Sequence, residues 1–201
     1  MSARATTVAV DRSDFRSVMI GGTKLGLTVG VAVVVFLFVS RLFPPGVVRS
    51  IAQTIVVVIA GAAAAFLPAR WVAPRTGDGL AGAAAVGLWG TVVFSAFDIV
   101  LLRPFDAYPW TWDAVGGNST WWYLPMWWML GTLAAWLGAI AGSRAPTDTP
   151  LARLALPAAI GGLAGAVVAG VAGWAVAPVG AGAGMLLVIV ARAIAALARR
   201  A

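Results

Sequence analysis

The chain has 201 residues, of which 61% are hydrophobic and only 10% charged. Soluble domains average about 45–50% apolar and about 25% charged, and a fold of this size has too little interior to hide the excess. There is no histidine, no cysteine and no glutamate, which removes the usual ligands for haem, zinc and iron–sulfur clusters and the usual general bases.

The net charge of +7 comes mostly from arginines that flank apolar runs, where they face anionic headgroups. No basic stripe with interleaved aromatics lies on a soluble element, so nucleic acid is excluded as a partner. The runs themselves are continuous, as in Val31 to Val39 and Ile55 to Leu67. A membrane β-barrel needs alternation instead. Continuous runs in lipid satisfy their backbone as helices. The predicted fold class is therefore all-α, a polytopic integral membrane bundle of six helices with short loops.

In chain order, residues 1–17 form a polar cytoplasmic segment containing Asp11 and Asp14, with no small-x-small cleavage site, so the first apolar run is expected to be retained. Residues 18–198 form one membrane domain and 199–201 a cytoplasmic C-terminus. The first span is predicted from Val18 to Ser40, broken by Pro44-Pro45-Gly46. The second runs from Val47 to Leu67 and is ended by Pro68. The third covers Gly79 to Leu102. An outer, Trp-rich connection follows over residues 103–120. The fourth span covers Trp121 to Ala141, with Ser119 or Thr120 as N-cap and Pro125 in its first turns. The fifth covers Leu151 to Val176, an uncharged turn spans Pro178 to Gly182, and the sixth covers Ala183 to Leu197.

Lysine and arginine bias sets orientation. The side holding both termini carries Arg4, Arg12, Arg16, Arg70, Arg75, Arg144, Arg153, Arg192, Arg199 and Arg200; the other carries Arg41, Arg49 and Arg103. Both termini are thus expected in the cytoplasm. The dominance of arginine over lysine, with abundant Ala, Gly and Val, fits a GC-rich bacterial genome, so the expected location is a bacterial inner membrane.

Four groups of residues carry the candidate function. Gly22, Gly26 and Gly30, and Gly161 and Gly165, repeat at four-residue spacing, which puts each set on one helix face for close packing. That packing serves either the chain's own bundle or a partner subunit. Trp110, Trp112, Trp121, Trp122, Trp127 and Trp128 crowd the third connection and its flank. They serve either as an interfacial belt or as a platform for an aromatic ligand. Lys24, roughly 9 Å into the first span, is expected to snorkel. Asp98, roughly 6 Å from the outer end of the third span, is expected to pair with an outer-side arginine (Arg41, Arg49 or Arg103), or otherwise to contact a cation, proton or substrate. Gln53 and Ser95 could share its site. The spacing of Asp98, Asp106 and Asp113 matches no metal loop.

No phosphate loop, nucleophile triad or carboxylate pair is visible. Asp78-Gly79 resembles the opening of the CDP-alcohol phosphotransferase signature, but the later aspartates and the Ala-Arg pair are missing. The expectation is a non-enzymatic accessory or scaffold subunit of a larger membrane complex, with the lipid bilayer and other membrane subunits as partners. No cofactor is expected, though a non-covalent lipid or pigment is allowed. The alternative is a small-solute binding or transport protein with its site near Asp98 and the Trp-rich connection. In size, helix count and Trp-rich outer loop that alternative is similar to the substrate-binding subunits of energy-coupling-factor importers, a likeness of architecture without a shared motif.

Overall fold

A computed structural model describes residues 14–72, 77–102, 104, 123–146 and 148–199. Among them are six long helices and no strand: α1 (Phe15–Leu42), α2 (Val47–Val72), α3 (Gly77–Phe97), α4 (Tyr123–Gly142), α5 (Leu151–Ala172) and α6 (Ala177–Ala198). A π-helical turn, Asp98–Leu102, extends α3, and a single 3-10 turn, Trp174–Val176, leads into α6. Five of these segments are long and apolar enough to cross a membrane. The other, α4, has 20 residues and no charge; its tryptophans and tyrosine lower its hydropathy. Large aliphatic side chains point outward, with Val171 87% and Val168 73% exposed. Such a surface suits lipid and not water. The chain is an all-α membrane protein.

Local chemistry sets the helix ends. Asp14 caps α1, its carboxylate accepting from the Ser17 amide at 3.2 Å. Hydrogen bonds from Ser17 hold that carboxyl below its ordinary range.

Two boundaries differ from the sequence expectation. Pro68 does not end α2; it sits buried inside the helix, which continues to Val72. A proline removes one backbone donor, and neighbouring helices at membrane depth allow the helix to continue. The second correction concerns the fifth and sixth spans. The chain turns at Gly173, whose φ of 154° suits glycine alone. Pro178 is not in a turn but in the first turn of α6, where a missing N–H costs nothing. Gly180 and Gly182, expected in that turn, are helical.

The helices alternate in direction. Gly22, Gly26 and Gly30 of α1 meet Trp89, Gly90 and Phe97 of α3 in rising order, so those two run parallel. Gly161 and Gly165 of α5 meet Gly184 and Gly180 of α6 in falling order, so those run antiparallel. The α1–α2 and α5–α6 turns lie at one end, tied by Ser50 Oγ donating to the Trp174 carbonyl at 2.6 Å. The start of α1 and the end of α6 lie at the other. There, Arg192 donates to the Leu154 carbonyl at 2.7 Å, and Arg70 donates to the Thr149 carbonyl.

Helix α2 occupies the centre and contacts each of the other five. Its Ala65 and Phe66 pack with Ala158 of α5 and Met185 of α6, and its Val72 packs with Leu25 of α1, Val86 of α3 and Ala139 of α4. The core is rich in alanine, which allows short distances between helix axes.

Candidate functional site

The sequence places few polar groups within the apolar helices, and the fold gathers those it buries. Ser50, Gln53, Thr54, Ser95 and Asp98 are the buried polar side chains among the described residues. The first three lie on the opening turns of α2 and the last two at the close of α3. These termini share one end of the bundle, the end away from the start of α1.

Asp98 is 1% exposed. It lies four residues from the end of the third predicted span, and the helices packed around it cover its side chain. It begins the π-helical turn, and such turns carry an extra residue per turn that re-aims the side chains around it. Ser95, three residues earlier, donates to the Thr91 carbonyl at 2.7 Å and accepts from Trp128 Nε1 at 3.3 Å. Phe94 and Trp127 meet edge to face beside it, centroids 6.0 Å apart. Gln53 faces a different neighbour, donating to Ser40 Oγ of α1 at 2.6 Å. The hydrogen bonds of Ser95 therefore run to α4 and those of Gln53 to α1. Asp98 and Arg41 each make a further interaction.

Trp110, Trp112, Trp121 and Trp122 lie outside the described residues, as does the expected cap of the fourth span. Lys24 is exposed on the outer face of α1, about 14 Å along the helix from Phe15. That placement suits a chain that snorkels to the nearer surface.

The glycine faces are filled from within the chain. A Cβ at Gly26 would stand 2.5 Å from the Gly90 carbonyl oxygen, and one at Gly22 would stand 2.6 Å from the Trp89 ring. A Cβ at Gly161 would stand 2.9 Å from the Gly184 carbonyl oxygen, and Gly165 faces the backbone of Gly180. Both faces are packed against helices of this chain, with Gly22, Gly26 and Gly30 buried and Gly161 and Gly165 partly exposed.

Three features escaped the sequence reading. Ser50 and Thr54 share one helix face with Gln53, already a candidate, by their i, i+3, i+4 spacing, a signal present in the sequence. A small cavity beside Thr54 and a long groove between α3 and α4 depend on which helices meet, and no local pattern encodes that. The groove measures about 780 Å³ and is lined by Leu88 of α3 and by Met126, Trp128, Met129, Leu133 and Trp136 of α4, among others. No group of three or more acidic metal-binding side chains occurs among the described residues. The chain matches no protein-family model, no curated protein and no solved structure.

Removing the Asp98 side chain should expose its importance to the fold. Asp98→Ala leaves the groups around it without a polar partner and is expected to cost about 1–3 kcal/mol. Lys24→Ala, on the exposed face, is expected to change stability by no more than about 0.5 kcal/mol. Equal melting shifts for the two variants would contradict the burial of Asp98.

Proposed function

We propose that this chain is a non-enzymatic accessory or scaffold subunit of a larger bacterial inner-membrane complex, docked to its partner along the α3–α4 groove. The groove is the observation that carries the reading. Trp128 stands beside Ser95, so the groove runs from the level of Met126 to Leu80, roughly 25 Å along the helices. That is most of a bilayer's hydrocarbon thickness. The occupant that fits is one transmembrane helix of a partner subunit. Met126 is 59% exposed and Met129 68%, with Trp128 and Trp136 between and beyond them. Methionine and tryptophan are enriched at protein interfaces, where the first adapts its shape and the second supplies a large rigid face.

The missing catalytic residue types support a structural role, since Asp, Ser, Thr, Tyr, Lys and Arg are the reactive side chains left. The orientation we propose puts both termini in the cytoplasm. Arg16, Arg70, Arg144, Arg153, Arg192 and Arg199 lie towards the end of the bundle that holds them, against Arg41 and Arg49 at the other. A second reading, solute binding or transport, is favoured by the burial of Asp98 at a π-helical turn, a geometry frequent at functional sites.

Site-specific photocrosslinking in cells tests the docking reading. A crosslinker replacing Met129 or Leu133 is expected to give one discrete protein adduct, and one replacing Val171 on the lipid face of α5 none. The groove-filling change Ala84→Trp should abolish that adduct without lowering the melting temperature. Adducts with lipid alone at all three positions would refute the docked helix.

Orientation has its own test. The chain lacks cysteine, so Asn118→Cys introduces the one thiol. Labelling by a membrane-impermeant reagent in intact cells is expected; labelling only after permeabilisation would reverse the topology.

A further inference from the structure

Two arginines face each other across the α5–α6 seam. The helices run antiparallel, with Gly165 against Gly180 and Gly161 against Gly184. About two turns further along that register, α5 reaches Arg153 where α6 reaches Arg192. The bond from Arg192 Nη1 to the Leu154 carbonyl, 2.7 Å, fixes the same level. Arg153 is exposed and Arg192 half-buried. The pair involves neither α3 nor α4, so it stands apart from partner docking.

Like charges on facing helix rows repel, and a low-dielectric surround strengthens the repulsion. Neither arginine has an ion pair among the described residues. The carboxylates described at this end are Asp14 and Asp148. Asp14 caps α1. Asp148 is exposed in the α4–α5 loop and forms no ion pair among the described residues. Arg192 uses one donor on the Leu154 carbonyl, and a guanidinium has five. The remaining donors, with those of Arg153, are planar forks that suit phosphate oxygens. A phosphate group between the two side chains accepts from both and removes the repulsion.

Position selects the source of that phosphate. Arg153 lies about 28 Å along α5 from Ala172, close to the roughly 30 Å of bilayer hydrocarbon, so the pair stands at the level of headgroup phosphates. Towards the membrane interior the seam continues through the partly exposed Gly161, Gly184 and Val188. The exposed Leu156 and Ile160 of α5 and Leu187 of α6 flank it. An acyl chain can lie along that strip, and a soluble anion has no use for it. We propose that Arg153 and Arg192 form a binding site for the phosphodiester of an anionic phospholipid, its acyl chains laid along the α5–α6 seam. An anionic headgroup is preferred to a zwitterionic one, because a choline ammonium would add a third positive charge beside the two arginines. The phosphodiester bridges α5 and α6 where their glycines no longer hold them.

Native mass spectrometry of the purified full-length protein in mild detergent tests the site, with phosphatidylglycerol and phosphatidylcholine of identical acyl chains as probes. The first phosphatidylglycerol is expected to bind more tightly than the first phosphatidylcholine. Arg153→Gln and Arg192→Gln should each weaken that first phosphatidylglycerol about fivefold, the effect of one cation beside an anionic headgroup. Arg153→Gln leaves the Arg192–Leu154 bond in place and should melt, without lipid, at the wild-type temperature. Arg153→Lys keeps the charge and should recover most of the affinity. Arg16→Gln removes the same charge at the same end of the bundle, but on α1, and should leave the first binding constant within about twofold, since screening confines the field of an exposed charge. Equal weakening by Arg16→Gln and Arg153→Gln would reduce the effect to diffuse surface attraction and overturn the site. Equal affinity for the two lipids, or binding unchanged in Arg153→Gln, would overturn it as well. Inorganic phosphate at matched ionic strength is expected not to displace the lipid; displacement would assign the arginines to a soluble anion and overturn the lipid.

Discussion

Close approach of helix backbones is the constraint on which this fold rests. Lipid tails are as apolar as the helix surfaces, so burying a leucine between helices gains little over leaving it in the bilayer. What remains is van der Waals contact, which is weak per atom pair and needs many atoms within reach. Glycine supplies that reach. Along α1 and α3 the contact passes through Gly22, Gly26 and Gly30, and along α5 and α6 through Gly161, Gly165, Gly180 and Gly184. Both pairs then pack against α2. An α2 face crowded with leucine would hold its neighbours apart; Ala65 and the glycines opposite it, such as Gly138 of α4, bring them in.

The same constraint explains where polar groups can sit. A helix packed closely along its length has no room for a hydrated side chain in the middle of the bundle. The buried polar groups accordingly lie at the end formed by the α1–α2 and α5–α6 turns and the close of α3. They are shared out among the neighbouring helices, with Gln53 bonded to Ser40, Ser50 to the Trp174 backbone, and Ser95 to Trp128. Each bond joins two different elements: α2 to α1, α2 to the turn before α6, and α3 to α4. That end is therefore both polar and tied together, and it holds the buried carboxyl of Asp98 and the hydroxyl of Thr54, which has no hydrogen-bond partner among the described residues. The opposite end is held by arginines that donate to backbone carbonyls. The α3–α4 groove lies between the two ends, with Ala81 and Ala84 on its α3 wall and Trp128, Met129 and Trp136 on its α4 wall.

The sequence made the spans legible because lipid imposes a demand that can be read locally: every backbone group must be satisfied within its own segment. The all-α class follows from that alone. Breaks were less legible. Proline reads as a stop, yet Pro68 lies within α2 and Pro178 within the first turn of α6, because proline's effect depends on which carbonyl it faces. Gly173 was one glycine among many, and only its φ distinguishes it. The glycine repeats were visible, but their partners were not. That α1 packs along α3, and α5 along α6, is a matter of topology. Asp98 stood out by its charge, but its burial was not legible, since distance from a helix end says nothing about what neighbouring helices cover. Thr54 drew no notice, because a missing hydrogen bond is a property of three-dimensional surroundings.

The claim that backbone contact through glycine holds the bundle is most directly tested by comparing two identical substitutions. Gly26 would place a Cβ 2.5 Å from the Gly90 carbonyl oxygen, whereas at Gly182 the nearest neighbour, Val57, is 4.0 Å away. Both are glycines inside transmembrane helices, so changes in helix propensity are shared. Gly26→Leu is expected to destabilise the fold by about 1–3 kcal/mol or more, the range for overpacking a well-filled contact. Gly182→Leu is expected to cost less than about 1 kcal/mol, because its side chain finds room and helix propensity favours leucine. Reversible unfolding in mixed micelles measures both. Equal stability for the two variants would contradict the account, since the α1–α3 contact would then tolerate a separation that the structure does not allow.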